Sequence, residues 1–300
     1  MRLKLFCVAA ISFGLLSGAC ANASTGAGDG GTGTGDGGTG SGGGISYPTA
    51  ADQVVLRIEQ GGGFVTLQYN LTNTALFSLF GDGLAVTPGA QIEIYPGPAL
   101  PALVQERLSA DAIQQLLQAA LDAGLNTDRN YTDLGSVGIA DAATTTFTLS
   151  VNGEIHTTRV YALGELGPKP DGMSQDEYQA RRDLLAFQSK ATDLSWLPPD
   201  AISDQRVYQP TALRLFVSDY QPDPSLSEPP LEWPLSPGLA TFGDPLQNGM
   251  NEIRCGAVAA DAAATLLPVV EQANQLTPWT SEGRRYGILF RPLLPDESGC

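Results

Sequence analysis

Few residues in this chain combine the type and spacing that chemistry demands. His156 is the only histidine, so a Ser-His-Asp hydrolase would have to use it, yet no Gly-x-Ser-x-Gly elbow marks a nucleophile. Its neighbours Thr157 and Thr158 predict a residue on the surface of a strand, with a pH-sensitive contact as the functional alternative. Carboxylates are abundant. Glu93 near Tyr95, Asp141, or Asp219 and Asp223 around Tyr220 could serve a glycosidase, which needs two carboxyls about 5 to 10 Å apart. In so acidic a chain, solvated charge is the plainer reading. The run Asp128-Arg129-Asn130-Tyr131-Thr132-Asp133 alternates oxygen ligands like a calcium loop, but it lacks the central glycine and closing glutamate. Gly61-Gly62-Gly63 follows a strand without opening a helix, which argues against a phosphate cradle. No catalytic residue, metal site or cofactor is assigned.

The cysteines are more telling. Met1 to Ala19 carries Arg2 and Lys4, an apolar run from Leu5 to Leu16, and then Ser17-Gly18-Ala19 before Cys20. That order is a secretory signal. A cysteine directly behind the small residues resembles the lipobox of bacterial lipoproteins, although Ser17 stands where that motif usually has leucine. The resemblance implies a diacylglyceryl group on Cys20 as the mature N-terminus, palmitate-type chains in the bilayer, and a protein held on the extracytoplasmic face of the bacterial cell membrane. Two other readings stay open. One is plain cleavage near Ala19-Cys20-Ala21 or Ala21-Asn22-Ala23; the other is a retained helix, for which the run from Leu5 to Leu16 is short. Behind Cys20, residues 24–44 are almost entirely Gly, Thr, Ser, Ala and Asp. Nothing there can repay the entropy of ordering, so residues 24–44 are expected to be a disordered spacer with an r.m.s. reach of roughly 25 Å, and with the lipidation that the resemblance implies, 20–45 is expected to be a tether.

The chain has 32 acidic and 16 basic residues. Losing Arg2 and Lys4 with the signal leaves a mature charge of 14 − 32 = −18, which excludes nucleic acid as a partner and disfavours anionic headgroups. With Cys7 in the signal core and Cys20 as the lipid site, Cys255 and Cys300 remain in an oxidising compartment and are expected to pair as a disulfide.

The elements that must position these residues predict an α+β fold, with antiparallel sheets each packed by a helix. Strands are expected over Gln53–Gln60, Leu76–Phe80 with Leu84–Val86 returning, and Ile92–Tyr95. A helix follows, N-capped by Ser109 and ending at Gly124, and then a hairpin of Thr145–Val151 and Glu154–Leu163 around Asn152-Gly153. A second pass follows: strand Ala212–Val217, helix Ala260–Ala273 kinked at Pro268, strand Tyr286–Arg291. Its helix aligns with the first at an offset of 150, raising the possibility of two related β-β-α-β-β units. The plan is therefore a signal over 1–19, a tether over 20–45, a first module over 46–165, a connecting helix and loop over 166–208, and a second module over 209–300 closed by the disulfide. Ser174 opens the connecting helix through a capping box, with Ala180, Leu184, Phe187, Ala191 and Leu194 facing the core. Pro222–Pro245 reads as an ordered surface loop. Trp196, Trp233 and Trp279, with Tyr208 and Tyr220 nearby, are read as plugs beneath long loops, or alternatively as a surface for sugars or a protein.

Leu76 to Asp82, the Leu108-Ser109 helix start, Tyr131, Asp141 and Thr144-Thr145-Thr146 together resemble an uncharacterised bacterial envelope domain over residues 53–163. That family carries no established catalytic residues. These readings lead to a lipid-anchored, non-catalytic binding module for an envelope protein or glycan. The alternative is an envelope hydrolase working through loop carboxylates.

Overall fold

The structure, a computed structural model, describes residues 43–91, 94–135, 138–247, 250 and 252–300. Cys20 and the tether up to residue 42 lie outside the described residues, as does Glu93. Two sheets and four α-helices make an α+β fold. The first sheet comprises β1 (Val54–Gly61), β2 (Phe77–Phe80), β3 (Leu84–Pro88), β4 (Leu103–Leu108), β5 (Arg129–Tyr131), β6 (Thr144–Val151), β7 (Glu154–Tyr161) and β8 (Ile202–Val207), in spatial order β5-β7-β6-β1-β2-β3-β4-β8. The second comprises β9 (Ala212–Asp219), β10 (Leu231–Glu232), β11 (Asp244–Pro245), β12 (Arg254–Ala259), β13 (Trp279–Ser281) and β14 (Arg284–Pro292), in order β10-β13-β14-β9-β12-β11. The helices are α1 (Leu67–Thr72), α2 (Ala110–Asp122), α3 (Gln175–Thr192) and α4 (Ala260–Val270). The sheets are not wholly antiparallel as expected. In each, a short edge strand runs parallel to its neighbour, β5 beside β7 and β10 beside β13.

Local signals act where they were legible. Asn152 and Gly153 both take positive φ (53° and 79°) in the turn from β6 to β7, as a tight hairpin requires. Gly83 has φ +85°, and a Cβ there would lie 2.7 Å from the Leu108 carbonyl oxygen; only glycine fits that turn. The Ser109 hydroxyl accepts from Ala112 N at 3.2 Å, and α2 buries Ile113, Leu116, Leu117 and Ala120 on one face. Alternation along β2 and β3 then splits the first sheet's faces. Phe77, Leu79 and Ala85 join the core under α2 and α3, whereas Phe80, Leu84 and Val86 form a smaller cluster on the reverse face with Leu103, Tyr208 and Leu294.

Several elements differ from expectation. Ile94 and Tyr95 belong to no strand, and the prolines that follow explain why. Segment 166–208 is more than a connector: α3 closes the first core with Leu184, Phe187 and Ala191, and β8 pairs with β4 as the sheet's eighth strand. β8 was missed because its residues 203–207 are all exposed, so no apolar alternation marks it. Helix α4 ends at Val270, three residues short of Ala273, with Pro268 inside it. The proline-rich loop donates β10 to one edge of the second sheet and β11 to the other.

The two sheets exchange straps. From the first, the chain around Pro98 bridges to Asn274, and Ala99 and Leu100 pack on the second core. From the second, residues 293–300 cross the reverse face of the first sheet. There the Arg57 guanidinium donates to both Asp296 carboxylate oxygens at 2.7 Å. Arg291 donates to Glu297 at 2.8 and 2.7 Å and to the Asn73 carbonyl at 2.9 Å. The Tyr208 hydroxyl donates to the Leu293 carbonyl at 2.9 Å. Burial alone would lower the Arg57 pKa, but the Asp296 hydrogen bonds and charge outweigh it and leave it raised. Burial, with Glu297 and Asp296 nearby, pushes the Tyr208 phenol up to about 12. The strap ends in a disulfide between Cys300 and Cys255, with Cα atoms 6.0 Å apart.

Candidate ligand cleft at the end of the second sheet

Of the acidic candidates that lie among the described residues, Asp219 lines a sizeable cleft. It closes β9, opposite Tyr286 on β14. Arg254 pairs across from Val217, two residues before Asp219, so it stands on the same face; Arg284, two before Tyr286, does likewise. Glu252 and Ala240 complete the wall of a cavity of about 670 Å³. Arg284 Nη2 lies 3.3 Å from Asp219 Oδ1, both side chains being largely exposed. Arg254 Nη1 is spent on the Ala240 carbonyl at 2.6 Å, and the Arg284 guanidinium sits 5.6 Å from the Tyr286 ring centre.

Tyr286 is 1% exposed, and its hydroxyl has no hydrogen-bond partner among the described residues. A buried hydroxyl without a partner costs about 1 to 3 kcal/mol, so this residue in the cleft wall carries an unmet demand. The cleft thus offers both signs of charge and an aromatic ring, the equipment to orient a polar ligand. Sequence reading missed Glu252, Arg254, Arg284 and Tyr286 as site residues. The spacing Arg284-x-Tyr286 on a strand could have placed those two on one face. Nothing local could have brought Arg254 to them.

The other candidates are dispersed. Asp223 takes no part in the cleft wall; its Oδ1 accepts from Ser225 N and Oγ at 2.8 and 2.6 Å, which lowers its pKa. Tyr220 N donates to the Arg285 carbonyl. Asp141 sits in an exposed left-handed turn (φ 60°) of the first sheet, where its carbonyl accepts from Phe64 N. In the calcium-like run, Asp128 Oδ1 accepts from Thr157 N at 2.7 Å, and Asn130 and Asp133 close turns onto Thr132 and Gly135. Those oxygens serve the backbone. His156 is not the open surface residue expected: it pairs with Leu149 on the helix-facing side, its side chain 16% exposed and 3.6 Å from Glu154. Gly62 and Gly63 turn the chain towards α1, a helix of only six residues.

The tryptophans divide. Trp279 and Trp233 are buried edge-to-face, 6.3 Å apart, and Phe242 and Phe290 complete an aromatic core. Trp196 lies on the surface, its Nε1 donating to the Lys190 carbonyl. They form no common binding face. No family model, curated protein or solved structure matches this chain.

Proposed function

We propose that this protein is a membrane-anchored, extracytoplasmic lipoprotein that acts as a non-catalytic binding module of the bacterial cell envelope, with the cleft around Asp219, Arg254, Arg284 and Tyr286 as the seat of a polar envelope component such as a glycan. The anchor reading is supported by the charge, apolar run and small residues ahead of Cys20. The binding reading is carried by one observation, the mixed-charge cleft of about 670 Å³ that Asp219, Glu252, Arg254 and Arg284 line beside Tyr286. A polyol or amide ligand would supply acceptors for the arginines.

The hydrolase reading is favoured by one fact, that Asp219 and Glu252 line the same cleft. Against it, Asp219 commits an oxygen to Arg284, which is poor preparation for proton transfer to a substrate. The test has two parts. Intact mass of the chain isolated from membranes should show a diacylglyceryl adduct at Cys20; an unmodified Cys20 would remove the anchor. Titration of the same chain with cell-wall glycan fragments should give saturable binding that weakens at least tenfold in Arg254→Ala. Turnover of those fragments, lost in Asp219→Asn, would instead make it a hydrolase.

A further inference from the structure

Six of the nine large apolar side chains that stand exposed among the described residues lie on two loop tips of the first sheet, the others being Ile155, Trp196 and Val207. Phe64 is 90% exposed, Tyr95 67% and Ile94 63%, and Val65, Leu67 and Tyr69 are exposed beside Phe64. Helix α1, which carries Leu67 and Tyr69, buries none of its residues. Gln68 and Thr72 of α1 line one small cavity together with Ile94, so the two tips are neighbours. Apolar groups left in water at this density mark a contact surface.

Charge decides what kind. From Gln60 to Gly81, and again from Ile94 to Gln105, there is no charged side chain. The first flanking charges on the N-terminal side, Glu59 and Glu93, are both acidic, in a chain of net charge −16. A protein interface of this size would carry a polar, partly charged rim and usually an arginine. An anionic membrane would be repelled. Protruding Phe, Tyr, Leu and Ile with no cation in either segment, and with the exposed acid Asp141 beside Phe64, match the interfacial zone of a neutral bilayer, where aromatic rings settle at headgroup depth.

We infer that the Phe64–Tyr69 and Ile94–Tyr95 tips are a bilayer-contact site that inserts into a zwitterionic lipid surface. The inference rests on the anchor reading only in that the bilayer is then within reach. The chain enters the fold at the opposite end of β6: Ser46 bonds to Asn152 at its hairpin end, whereas Phe64 bonds to Asp141 ahead of its start. The eight residues of β6 span about 26 Å. A tether of the kind expected from the glycine-rich sequence between Cys20 and Gly44 would have an r.m.s. reach of roughly 25 Å, comparable to that span, and would let the module lie with its tips on the membrane.

The probe is the full chain carrying Phe64→Trp, mixed with phosphatidylcholine vesicles whose acyl chains are brominated. Wild type supplies the background of the native tryptophans. The expected result is bromine quenching of the added indole at least twofold above that background. Quenching of the added indole should fall to the wild-type background when Leu67→Asp and Tyr95→Asp are added, with an unchanged unfolding midpoint showing that the fold is intact. Replacing a third of the lipid by phosphatidylglycerol should weaken it. Three results would overturn the inference: an indole left unquenched while the chain floats with the vesicles, quenching that requires phosphatidylglycerol, or a blue shift that grows with protein concentration before vesicles are added, which would assign the tips to a second copy of this chain. The mass at Cys20 separates this from the anchor. An unmodified chain that is still quenched keeps the inference and removes the lipid; a lipidated chain left unquenched does the reverse.

Discussion

In the first sheet the hairpin β6–β7 docks on β1 through its leading strand, whereas in the second β13–β14 docks on β9 through its trailing strand. The strand before the helix differs as well: β4 lies three places from β1, but β12 is directly beside β9. Yet both regions run strand, helix, hairpin, and both hairpins turn on a pair of positive-φ residues, Asn152-Gly153 and Glu282-Gly283. Local order alone does not choose between these topologies, because turn chemistry fixes a hairpin's register and not which of its edges meets the rest of the sheet.

The fastenings differ too. The first region has a largely aliphatic core, a serine cap on α2, and a buried arginine. Arg181 donates to Glu177 at 3.0 Å and to the carbonyls of Tyr161 and Tyr131 at 2.9 and 2.6 Å, tying α3 to two strand ends. The second has an aromatic core, a helix with no side-chain cap and an internal proline, and a disulfide. Both regions depend on contacts made across the chain, one on a buried guanidinium and the other on a covalent bond.

That contrast can be broken most forcefully at the disulfide. Cys300→Ser should remove about 4 kcal/mol, the chain-entropy value for a loop of some 45 residues. Amide exchange should accelerate mainly in β9, β12 and the strap, and a uniform loss over both sheets would show that the regions unfold as one. Next, Arg181→Ala should cost about 3 kcal/mol, because it leaves buried carbonyls and a carboxylate unpaired, with faster exchange in β5 and β7. Equal protection there in variant and wild type would deny the arginine its role.

A smaller pair concerns the helix starts. Ser109→Ala should lose about 1 kcal/mol, read from the urea midpoint. Ala260 opens α4 with φ 48°, a conformation costing a non-glycine residue roughly 1 kcal/mol, so Ala260→Gly should stabilise by about that amount. Opposite signs at the two helix starts would sharpen the contrast.

The joint between the regions is open to pH. Because the Tyr208 phenol titrates at about 12 in the fold against 10 unfolded, the folded state retains its proton longer. The resulting stability is complete below pH 10 and is lost as pH rises towards 12. Tyr208→Phe should flatten that alkaline decline in a urea series and lower the plateau by about 1 kcal/mol for the lost bond to Leu293. The least effect is expected at the exposed pair of the cleft: Asp219→Asn should change stability by less than 1 kcal/mol, leaving any change in ligand binding free of a folding component.

Much of the first region was legible because its instructions are short-range. A serine three residues before an amide, Asn-Gly between alternating strands, and leucines at helical spacing each act within a turn or two. Cys255 and Cys300, expected to pair, do so. The cleft was legible only at Asp219. Its partners arrive from β12 and β14, and a carboxylate's sequence neighbours say nothing about which guanidinium will face it. The exposed tips around Phe64 and Tyr95 were missed for a related reason: an apolar residue in sequence looks the same whether it is buried or left in water.

By itself the sequence determined the α+β class, the starts of α2, α3 and α4, the β6–β7 turn and an acidic net charge. All of these follow from local backbone preference, periodicity and summed charge. Only the tertiary structure decided that 166–208 completes the first sheet, that Arg57 meets Asp296 across 239 positions, and that the two regions exchange straps. Such contacts depend on where chain segments far apart in sequence come to rest, and their free energy exists only when the intervening fold has brought them together.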